Sequence, residues 1–292
     1  MKQIPIPVIV NRSGGTASSL GDKLADQLHE AFAAGGQLID LQLIASDDLE
    51  AAFAKVAGAP VVAVGGGDGT LGSAAGMFAE AGSALAILPL GTRNHLAKQL
   101  GIPAEVPDAV KVIVAGRRQR IDLARAGQRV FVNNASVGLY TRLVRERDAM
   151  SGPKWLGTVP ATWNVLRHLR SRPVQLSLDG ADRTLDTPLL FIGNNRYSLE
   201  SGMMGERESM SGGVLCLYAV SARTAFQLMS VAARTLIGRA DPQQDFCALT
   251  EAQNARIEGA GGLDVAFDGE IERMQLPLNF AILPQALEVI VP

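Results

Sequence analysis

The feature that most constrains this chain is a buried-strand pattern that runs directly into a glycine-rich turn. Residues 61–64 read Val-Val-Ala-Val, residues 65–70 read Gly-Gly-Gly-Asp-Gly-Thr, and a helix-compatible run follows as far as Ala81. Glycines let backbone N–H groups approach an anion closely, and a helix N-terminus adds unpaired donors. The turn is therefore predicted to bind a phosphate, with Asp68 as a candidate ligand for Mg²⁺ on that phosphate.

Two common phosphate motifs do not match this turn. It lacks the Gly-Lys-Ser/Thr that a P-loop requires at this spacing. A dinucleotide fingerprint would normally occupy the first βα turn, with an acidic residue about 20 positions later. The remaining alternative is a strand-to-helix turn without a ligand, and three consecutive glycines before Asp-Gly-Thr make it the weaker reading.

The first 121 residues alternate between strand and helix patterns. The predicted strands are 6–10, 38–44, 61–64 and 84–88, and the predicted helices are 16–34, one capped by Ser46 that stops at Gly58, 71–81, one that ends at Leu100, and 107–115. Apolar strands alternating with helices predict a parallel sheet with both faces covered, as in an α/β/α nucleotide-binding domain.

Three of these four strands end in turns rich in Gly, Asn, Ser, Thr or Asp. The turns are 11–15, 65–70 and 91–94. Ligands of such sheets bind beyond the carboxyl ends of the strands, where all three turns are expected to meet. The convergence predicts a site for a nucleotide or another phosphate.

From residue 122 the pattern changes to short alternating runs. The predicted strands are 121–125, 130–136, 174–178, 189–193, 214–220, 246–250, 255–258, 263–267, 278–283 and 287–291, and Asp179-Gly180 is a strong hairpin signal. Many short strands with turn signals predict an antiparallel sandwich or barrel. We therefore predict two domains, 1–121 and 122–284, with the last strand, 285–292, free to return to the first.

A helical insertion is predicted at 139–172 within the second domain. It holds Trp155 and Trp163 and a cluster of basic residues: Arg142, Arg145, Arg147, Lys154, Arg167, Arg170 and Arg172. Cationic side chains with tryptophan on helices suit the surface of an anionic membrane. The alternative is a solvated helix pair whose tryptophans lie in the core.

Composition excludes several classes of protein. The net charge of −2 gives no overall field that would attract nucleic acid. No apolar run approaches the roughly 18 residues of a membrane span, and the start of the chain does not resemble a signal peptide. A cytoplasmic protein without a transmembrane segment is expected.

Taken together, the motifs resemble those of the diacylglycerol kinase catalytic-domain family. This family includes bacterial lipid kinases and sphingosine kinases and is related to the NAD kinases. The matching elements, in the family's order, are Asn11 to Gly15, Gly65 to Thr70, Pro89 to Asn94, Asn133 to Gly138, Gly193 to Asn195, and Asp268-Gly269-Glu270. They cover nearly the whole chain.

The resemblance implies an ATP- and Mg²⁺-dependent lipid kinase that transfers the γ-phosphate to a lipid hydroxyl, with diacylglycerol as the favoured acceptor. Asp268 would be the general base, with Glu270 nearby; from the residues alone, Asp-Gly between two strands is most often only a hairpin turn. The nucleotide-binding residues would be Asn11, Gly65, Gly66, Gly67, Asp68, Gly69, Thr70, Thr92 and Asn94, with Asp68 beside the metal. The enzyme would work peripherally at the inner membrane surface. The resemblance leaves open whether it forms a homodimer.

Two departures from the family pattern limit what the resemblance implies. Bacterial lipid kinases often carry Asp-Gly before the strand that starts near Val214, supporting a structural Mg²⁺, whereas this chain has Gly212-Gly213. A second, structural magnesium ion is therefore doubtful. Sphingosine kinases carry an acid where this chain has Arg142, which disfavours a cationic sphingoid base.

Two rival functions remain at this point. One is a soluble kinase of the NAD-kinase type, whose activity would not respond to detergent or vesicles. The other is a non-catalytic nucleotide-binding membrane module, which would bind ATP without turnover.

Overall fold

The computed structural model describes most of the chain. The described residues are 4–13, 15–21, 23–139, 141, 172–198, 206–222, 224, 226–227, 230–231, 234 and 246–292. The predicted helical insertion, 139–172, lies outside the described residues except for 139, 141 and 172, and Trp155 and Trp163 lie outside them too. The chain divides into two compact units: unit 1 is Met1–Leu123 with Pro284–Pro292, and unit 2 is Ala124–Leu283.

Unit 1 is built on a parallel sheet. Its elements are β1 (Ile6–Asn11), α1 (Gly15–Leu20), α2 (Lys23–Ala34), β2 (Ile39–Ile44), a 3₁₀ helix (Ser46–Asp48), α3 (Leu49–Val56), β3 (Val61–Gly66), α4 (Asp68–Ala81), β4 (Ala84–Pro89), α5 (His95–Gln99) and α6 (Val106–Ala115). The order is β2-β1-β3-β4, followed by the end of the last strand of the chain, and the neighbours are parallel. All six residues of β4 are buried, as expected where helices cover both faces.

Two predictions about helices in unit 1 are wrong. The predicted helix 16–34 is two helices, because Gly21 between them takes a φ of 54°, which interrupts the helical path. Ser46 is not a helix N-cap: Ala45 takes that position, and the Ser46 hydroxyl donates to Asn11 Oδ1 at 3.3 Å. Ser46 therefore supports the first turn instead of a helix start.

Unit 2 is made of antiparallel strands. They are β5 (Arg118–Ala126, which begins in unit 1), β6 (Arg129–Phe131), β7 (Asn134–Gly138), β8 (Arg172–Leu178), β9 (Ala181–Thr187), β10 (Leu189–Asn194), β11 (Leu215–Val220), β12 (Phe246–Ala252), β13 (Asn254–Ile257), β14 (Gly262–Phe267), β15 (Glu270–Gln275) and β16 (Leu278–Ile290, which ends in unit 1). One sheet has the order β12-β11-β10-β7-β14-β15. In the other, β16 pairs with β13, β13 with β8 and β8 with β9.

The core of unit 2 lies between these two sheets. Phe131, Phe267 and Phe280 are fully buried in it, together with Leu176 of one sheet and Ile192 of the other. Burial of large apolar side chains from both inner faces is what holds a β-sandwich together. The predicted fold class, an α/β domain with a parallel sheet plus an antiparallel β-sandwich, is confirmed.

The strands of unit 2 differ from the prediction at one place that matters for function. The predicted strand 130–136 is two strands, β6 and β7, because residues 132 and 133 leave the ladder between them. The predicted Asp179-Gly180 hairpin turn is confirmed, but it joins β8 to β9, a strand that was not predicted. Within the described residues, no helix has both the length and the apolar character needed to cross a membrane.

Candidate active site

The glycine turn links the buried strand β3 to helix α4. Gly65 and Gly66 are the last residues of β3 and are buried, whereas Gly67, Asp68 and Gly69 are half-buried at the turn. Helix α4 starts at Asp68, so its first N–H groups have no partner within the helix. The predicted strand, turn and helix start are all present.

The three predicted turns meet at one edge of the sheet. Asn11 Nδ2, at the end of β1, donates to Thr70 Oγ1 in the first turn of α4 at 3.0 Å. The N–H of Thr16 donates to the carbonyl of Leu90, in the turn after β4, at 2.8 Å. These contacts confirm the predicted convergence of the turns, since each joins segments that follow different strands.

The turn after β4 approaches the glycine turn at backbone distance. A Cβ atom added to Gly91 would lie 2.3 Å from the Cα of Gly67, closer than two carbon atoms can come. A Cβ added to Gly67 would lie 3.4 Å from Gly91 Cα, a much milder contact. Gly91 therefore permits the close approach that closes this edge of the site.

Asp68 connects the glycine turn to the next helix. Its Oδ2 accepts a hydrogen bond from the N–H of His95 at 3.1 Å, and its Oδ1 accepts one from Leu96 at 3.0 Å. Asp68 thus accepts hydrogen bonds from two N–H groups at the start of α5. The partial positive charge of a helix N-terminus favours a negative side chain at this place. Each carboxylate oxygen keeps a further lone pair.

The fit of a magnesium ion at Asp68 depends on ligands from outside the protein. Among the described residues, no group of three or more His, Cys, Asp or Glu side chains is placed to hold a metal. One carboxylate, completed by nucleotide phosphates and water, is a usual way for proteins to bind Mg²⁺. The residues present therefore fit a metal that arrives with a nucleotide.

Asn94 and Thr92 differ in how they are used in the turn after β4. Asn94 takes a left-handed conformation with φ of 52°; its Oδ1 accepts from the N–H of Gly91, and its Nδ2 donates to the carbonyls of Pro89 and Gly91. Its amide therefore holds the turn in shape. Thr92 is exposed at the tip of the same turn. Thr92 is the more accessible of the two to a ligand.

In unit 2, Asp268 lies in the hairpin turn between β14 and β15. Its Oδ2 accepts from the N–H of Val132 at 2.9 Å, and its Oδ1 accepts from Asn133 at 2.8 Å and Asn134 at 3.0 Å. These donors explain the strand break at 132–133, because their N–H groups turn away from the ladder towards the carboxylate. A carboxylate offers about four lone-pair sites, so one site on Oδ2 is left for another donor.

The environment of Asp268 acts on its proton affinity in two directions. The residue as a whole is half-buried, but its carboxylate is enclosed, and this burial raises the pKa of Asp268 above its ordinary value. The three backbone N–H bonds and the charge of Arg207 act against this rise. A carboxyl group whose pKa is raised and whose Oδ2 accepts a single backbone hydrogen bond is chemically suited to accept a proton.

Glu270 follows Asp268 on β15 and is held differently. Its carboxylate lies 3.3 Å from Arg129, which also lies 2.9 Å from Glu272. The Glu270 side chain is exposed, whereas the Asp268 carboxylate is enclosed. The two predicted acidic residues are therefore neighbours in sequence with different surroundings.

A polar cluster behind residues 132–134 was not assigned a role from the sequence. Buried Asn194 donates from Nδ2 to the carbonyl of Val132 at 2.7 Å, and the Tyr197 hydroxyl donates to the carbonyl of Asn133 at 3.0 Å. Arg207, also buried, contacts the same segment. Asn194 belongs to a quoted motif, but no local pattern marks Arg207, whose contact is 75 residues distant in sequence.

The loop that lacks an acid is closed by an asparagine. A Cβ atom at Gly212 would lie 2.8 Å from Asn195 Oδ1, and the same oxygen accepts a hydrogen bond from Val214 at 3.4 Å. The Asn195 amide thus takes up the space that a side chain at 212 would need. The structure therefore has little space for a side chain at Gly212, the position where this chain departs from the family pattern.

Unit 2 also contains a cavity of about 600 Å³. Its apolar walls include Val137, Leu139, Leu190, Ile257 and Leu263. Its lining also includes the ion pair between Arg273 and Asp264, whose atoms are 2.8 Å apart. The lining of this cavity is therefore mixed, with an apolar part that suits the apolar portion of a small molecule and several polar groups beside it.

Comparison with known proteins finds relatives over most of the chain. A family model described as the diacylglycerol kinase catalytic domain matches residues 5–126. A "Probable lipid kinase YegS-like" of Pseudomonas putida is 31% identical over 247 residues, which are 82% of this chain and 80% of that protein. A "Diacylglycerol kinase" of Mycobacterium tuberculosis is 29% identical over 253 residues, which are 84% of this chain and 80% of that protein.

A solved structure shares the fold over the full length. The crystal structure of a diacylglycerol kinase from Bacillus anthracis strain Sterne covers 100% of this chain and 98% of its own, with a TM-score of 0.71 at 20% identity. The resemblance seen in the motifs is confirmed by the family model and by the long alignments. The chain belongs to the diacylglycerol kinase catalytic domain family.

Proposed function

We propose that the protein is a lipid kinase that transfers the γ-phosphate of ATP to a lipid hydroxyl, with diacylglycerol as the favoured acceptor. Membership of the family and the names of its long-matching relatives support the reaction class. The observation that carries the acceptor chemistry is the Asp268 carboxylate, which is held by three backbone N–H groups, two on Oδ1 and one on Oδ2.

In this proposal, unit 1 binds the nucleotide. The N–H groups at the start of α4 and the half-buried residues 67–69 would contact the phosphates, and exposed Thr92 would add a hydroxyl. The Asn11–Thr70 hydrogen bond would hold two of the turns together, and Asn94 would keep the third turn in shape. Asp68 would hold Mg²⁺ together with the phosphates, and the ion would neutralise charge on them.

Unit 2 acts on the acceptor. Asp268 Oδ2 would accept the proton of the lipid hydroxyl as that oxygen bonds to the γ-phosphorus, while the bond from this phosphorus to the β,γ-bridging oxygen breaks and ADP leaves. A raised pKa makes this carboxylate a stronger base than an ordinary aspartate, provided that it is ionised. Exposed Glu270, which is paired with Arg129, would add a negative charge near the turn that contains Asp268.

The apolar part of the cavity in unit 2 suits an acyl chain. Val137 and Leu263 line it, and they lie three and four residues from Asn134 and Phe267, the ends of β7 and β14 that are nearest to Asp268. Four residues of a strand span roughly 13 Å, a distance that a lipid molecule can bridge. We therefore assign a long-chain lipid acceptor and a membrane surface as the place of work.

The test is transfer of labelled γ-phosphate from ATP and Mg²⁺ in mixed micelles. The acceptors would be diacylglycerol, phosphatidylglycerol, ceramide, sphingosine and a total lipid extract, with NAD in a parallel reaction. The expected result is label in the organic phase with diacylglycerol. Label on another lipid would identify that lipid as the acceptor instead of diacylglycerol, and the proposed reaction class, lipid phosphorylation, would stand.

Two outcomes would overturn the proposal. Label on NAD alone would assign a water-soluble acceptor. ATP binding without labelled product in either phase would assign a non-catalytic nucleotide-binding module.

A further inference from the structure

Arg207 is a buried cation in the polar cluster of unit 2. Its side chain donates from Nη1 to the carbonyl of Val132 at 2.7 Å and from Nη2 to Asn133 Oδ1 at 3.3 Å. Its backbone is fixed by a bridge to Tyr197, flanked by hydrogen bonds from Ser198 to Glu206 and from Glu208 to Arg196. A buried charge is costly unless the structure uses its hydrogen bonds, so its position requires a reason.

One peptide group connects Arg207 to Asp268. The carbonyl of Val132 accepts from Arg207, while the N–H of Asn133, in the same peptide group, donates to Asp268 Oδ1 at 2.8 Å. The guanidinium and the carboxylate thus lie at opposite ends of a single peptide dipole. Hydrogen bonds in such a chain polarise one another, so the charge at each end strengthens the bond at the other.

We propose that Arg207 is a positioning residue for Asp268, acting through the Val132–Asn133 peptide group to keep the carboxylate ionised and oriented with Oδ2 open to the acceptor hydroxyl. The inference rests on the proposed function, in which Asp268 is the base. It adds to that function a residue that touches neither substrate.

The charges around Asp268 support this role. Burial raises the pKa of Asp268, and Arg207 is the charged side chain that acts in the opposite direction. Glu270 belongs to the same hairpin as Asp268 and pairs with Arg129 of β6, but the Glu270 side chain is more than half exposed, so water screens it. Removing Arg207 should therefore leave Asp268 protonated up to a higher pH.

The first test is the pH profile of kcat/KM for the full-length protein and its variants. In Arg207→Met the acid limb is expected to move up by about one pH unit, the lower end of what a nearby opposite charge produces. Arg207→Lys, which keeps the charge, should restore most of the wild-type position. Arg183→Met, which removes an exposed arginine of β9, serves as the matched control and should not move the limb.

A purely structural role predicts a different result. It would lower the amount of folded enzyme at every pH, and the acid limb would stay where it is. An unmoved limb in folded Arg207→Met would overturn the proposal.

The second test does not need kinase activity. Urea unfolding at neutral pH is measured for Arg207→Met, Asp268→Asn and the double variant, with Arg207→Lys in place of Met if the Met variant does not fold. The midpoint shift caused by the arginine change should be at least halved when Asp268 is already Asn. Additive shifts would overturn the link between the two residues, whereas failure of the wild type to phosphorylate any lipid would overturn only the proposed function.

Discussion

Unit 2 contains two Asp-Gly hairpin turns with nearly the same backbone. Asp179 and Gly180 have φ of 46° and 88°, and Asp268 and Gly269 have φ of 48° and 98°. Each turn joins two antiparallel strands, and each aspartate accepts backbone N–H bonds from a segment far away in sequence. The dipeptide therefore determines the turn in both places, as its preference for positive φ predicts.

The two carboxylates differ in their surroundings. Asp179 is exposed, and hydrogen bonds from the N–H groups of Asn254 and Gln253 lower its pKa. Asp268 is enclosed, and burial raises its pKa although it accepts three such bonds. The comparison shows that one local motif can serve as a structural turn or as a candidate base, and that burial decides which.

The strongest test of this comparison exchanges each aspartate for asparagine. Asp268→Asn should lower kcat at least about 100-fold, because an amide cannot take the proton of the acceptor, while ATP affinity stays within a few fold. Asp179→Asn, the matched control, should keep kcat within about twofold. Lipid phosphorylation by both variants, with circular dichroism to confirm folding, gives the answer. Equal losses in the two variants would show that the turns are needed only for structure.

A second test changes the glycines of the two turns. A Cβ atom at Gly180 or Gly269 would meet no heavy atom within 4 Å, so Gly180→Ala and Gly269→Ala introduce backbone strain alone. Each should lower the free energy of unfolding by about 1 kcal/mol. Turnover should fall about tenfold only in Gly269→Ala, because small displacements of a catalytic group are costly. Unchanged turnover in both would mean that the position of Asp268 is not critical.

The sequence predicts those parts of the molecule that depend on neighbouring residues. The apolar strands of unit 1, the turn at 65–70 and the hairpin at Asp179 each follow from a short pattern, and the structure contains them. The errors in unit 1 are also local: Gly21 divides a predicted helix, and Ser46 binds Asn11 instead of capping a helix. The local sequence does not indicate which group a serine hydroxyl will form a hydrogen bond with.

The candidate base site depends on contacts that no local pattern contains. Asp268 accepts its hydrogen bonds from residues 134–136 positions earlier in the chain. These contacts break the predicted strand 130–136, in which Asn133-Asn134 is the local sign of an interruption. Strands β9 and β15 were missed for a related reason, since their exposed, polar sequences lack the alternation of a half-buried strand. Arg207 lies in no motif.

A third Asp-Gly pair, Asp68-Gly69, extends the comparison to a helix start. Asp68→Ala removes the acceptor for the N–H groups of His95 and Leu96, so the free energy of unfolding should fall by about 1 kcal/mol. If Asp68 also binds Mg²⁺, ATP affinity should fall several-fold more with Mg²⁺ present than with EDTA. Isothermal titration of ATP under both conditions measures this ratio. Equal losses would assign Asp68 to capping alone.

The smallest expected effect is a difference of sign in how stability depends on pH. The lowered pKa of Asp179 means that its contribution to folding is present above pH 3.8, the ordinary value for the group, and is lost as pH falls through its folded pKa. The raised pKa of Asp268 means that its contribution is present below pH 3.8 and is lost as pH rises through its folded pKa. Urea unfolding is measured between pH 3 and 7 for the wild type, Asp179→Asn and Asp268→Asn. The difference in free energy of unfolding between the wild type and each variant should change with pH in opposite directions for the two variants. Both changes should be small, and the one for exposed Asp179 should be the smaller because water screens it. Slopes of the same sign would mean that burial does not separate the two turns, and the assignment of Asp268 as a base would lose its physical ground.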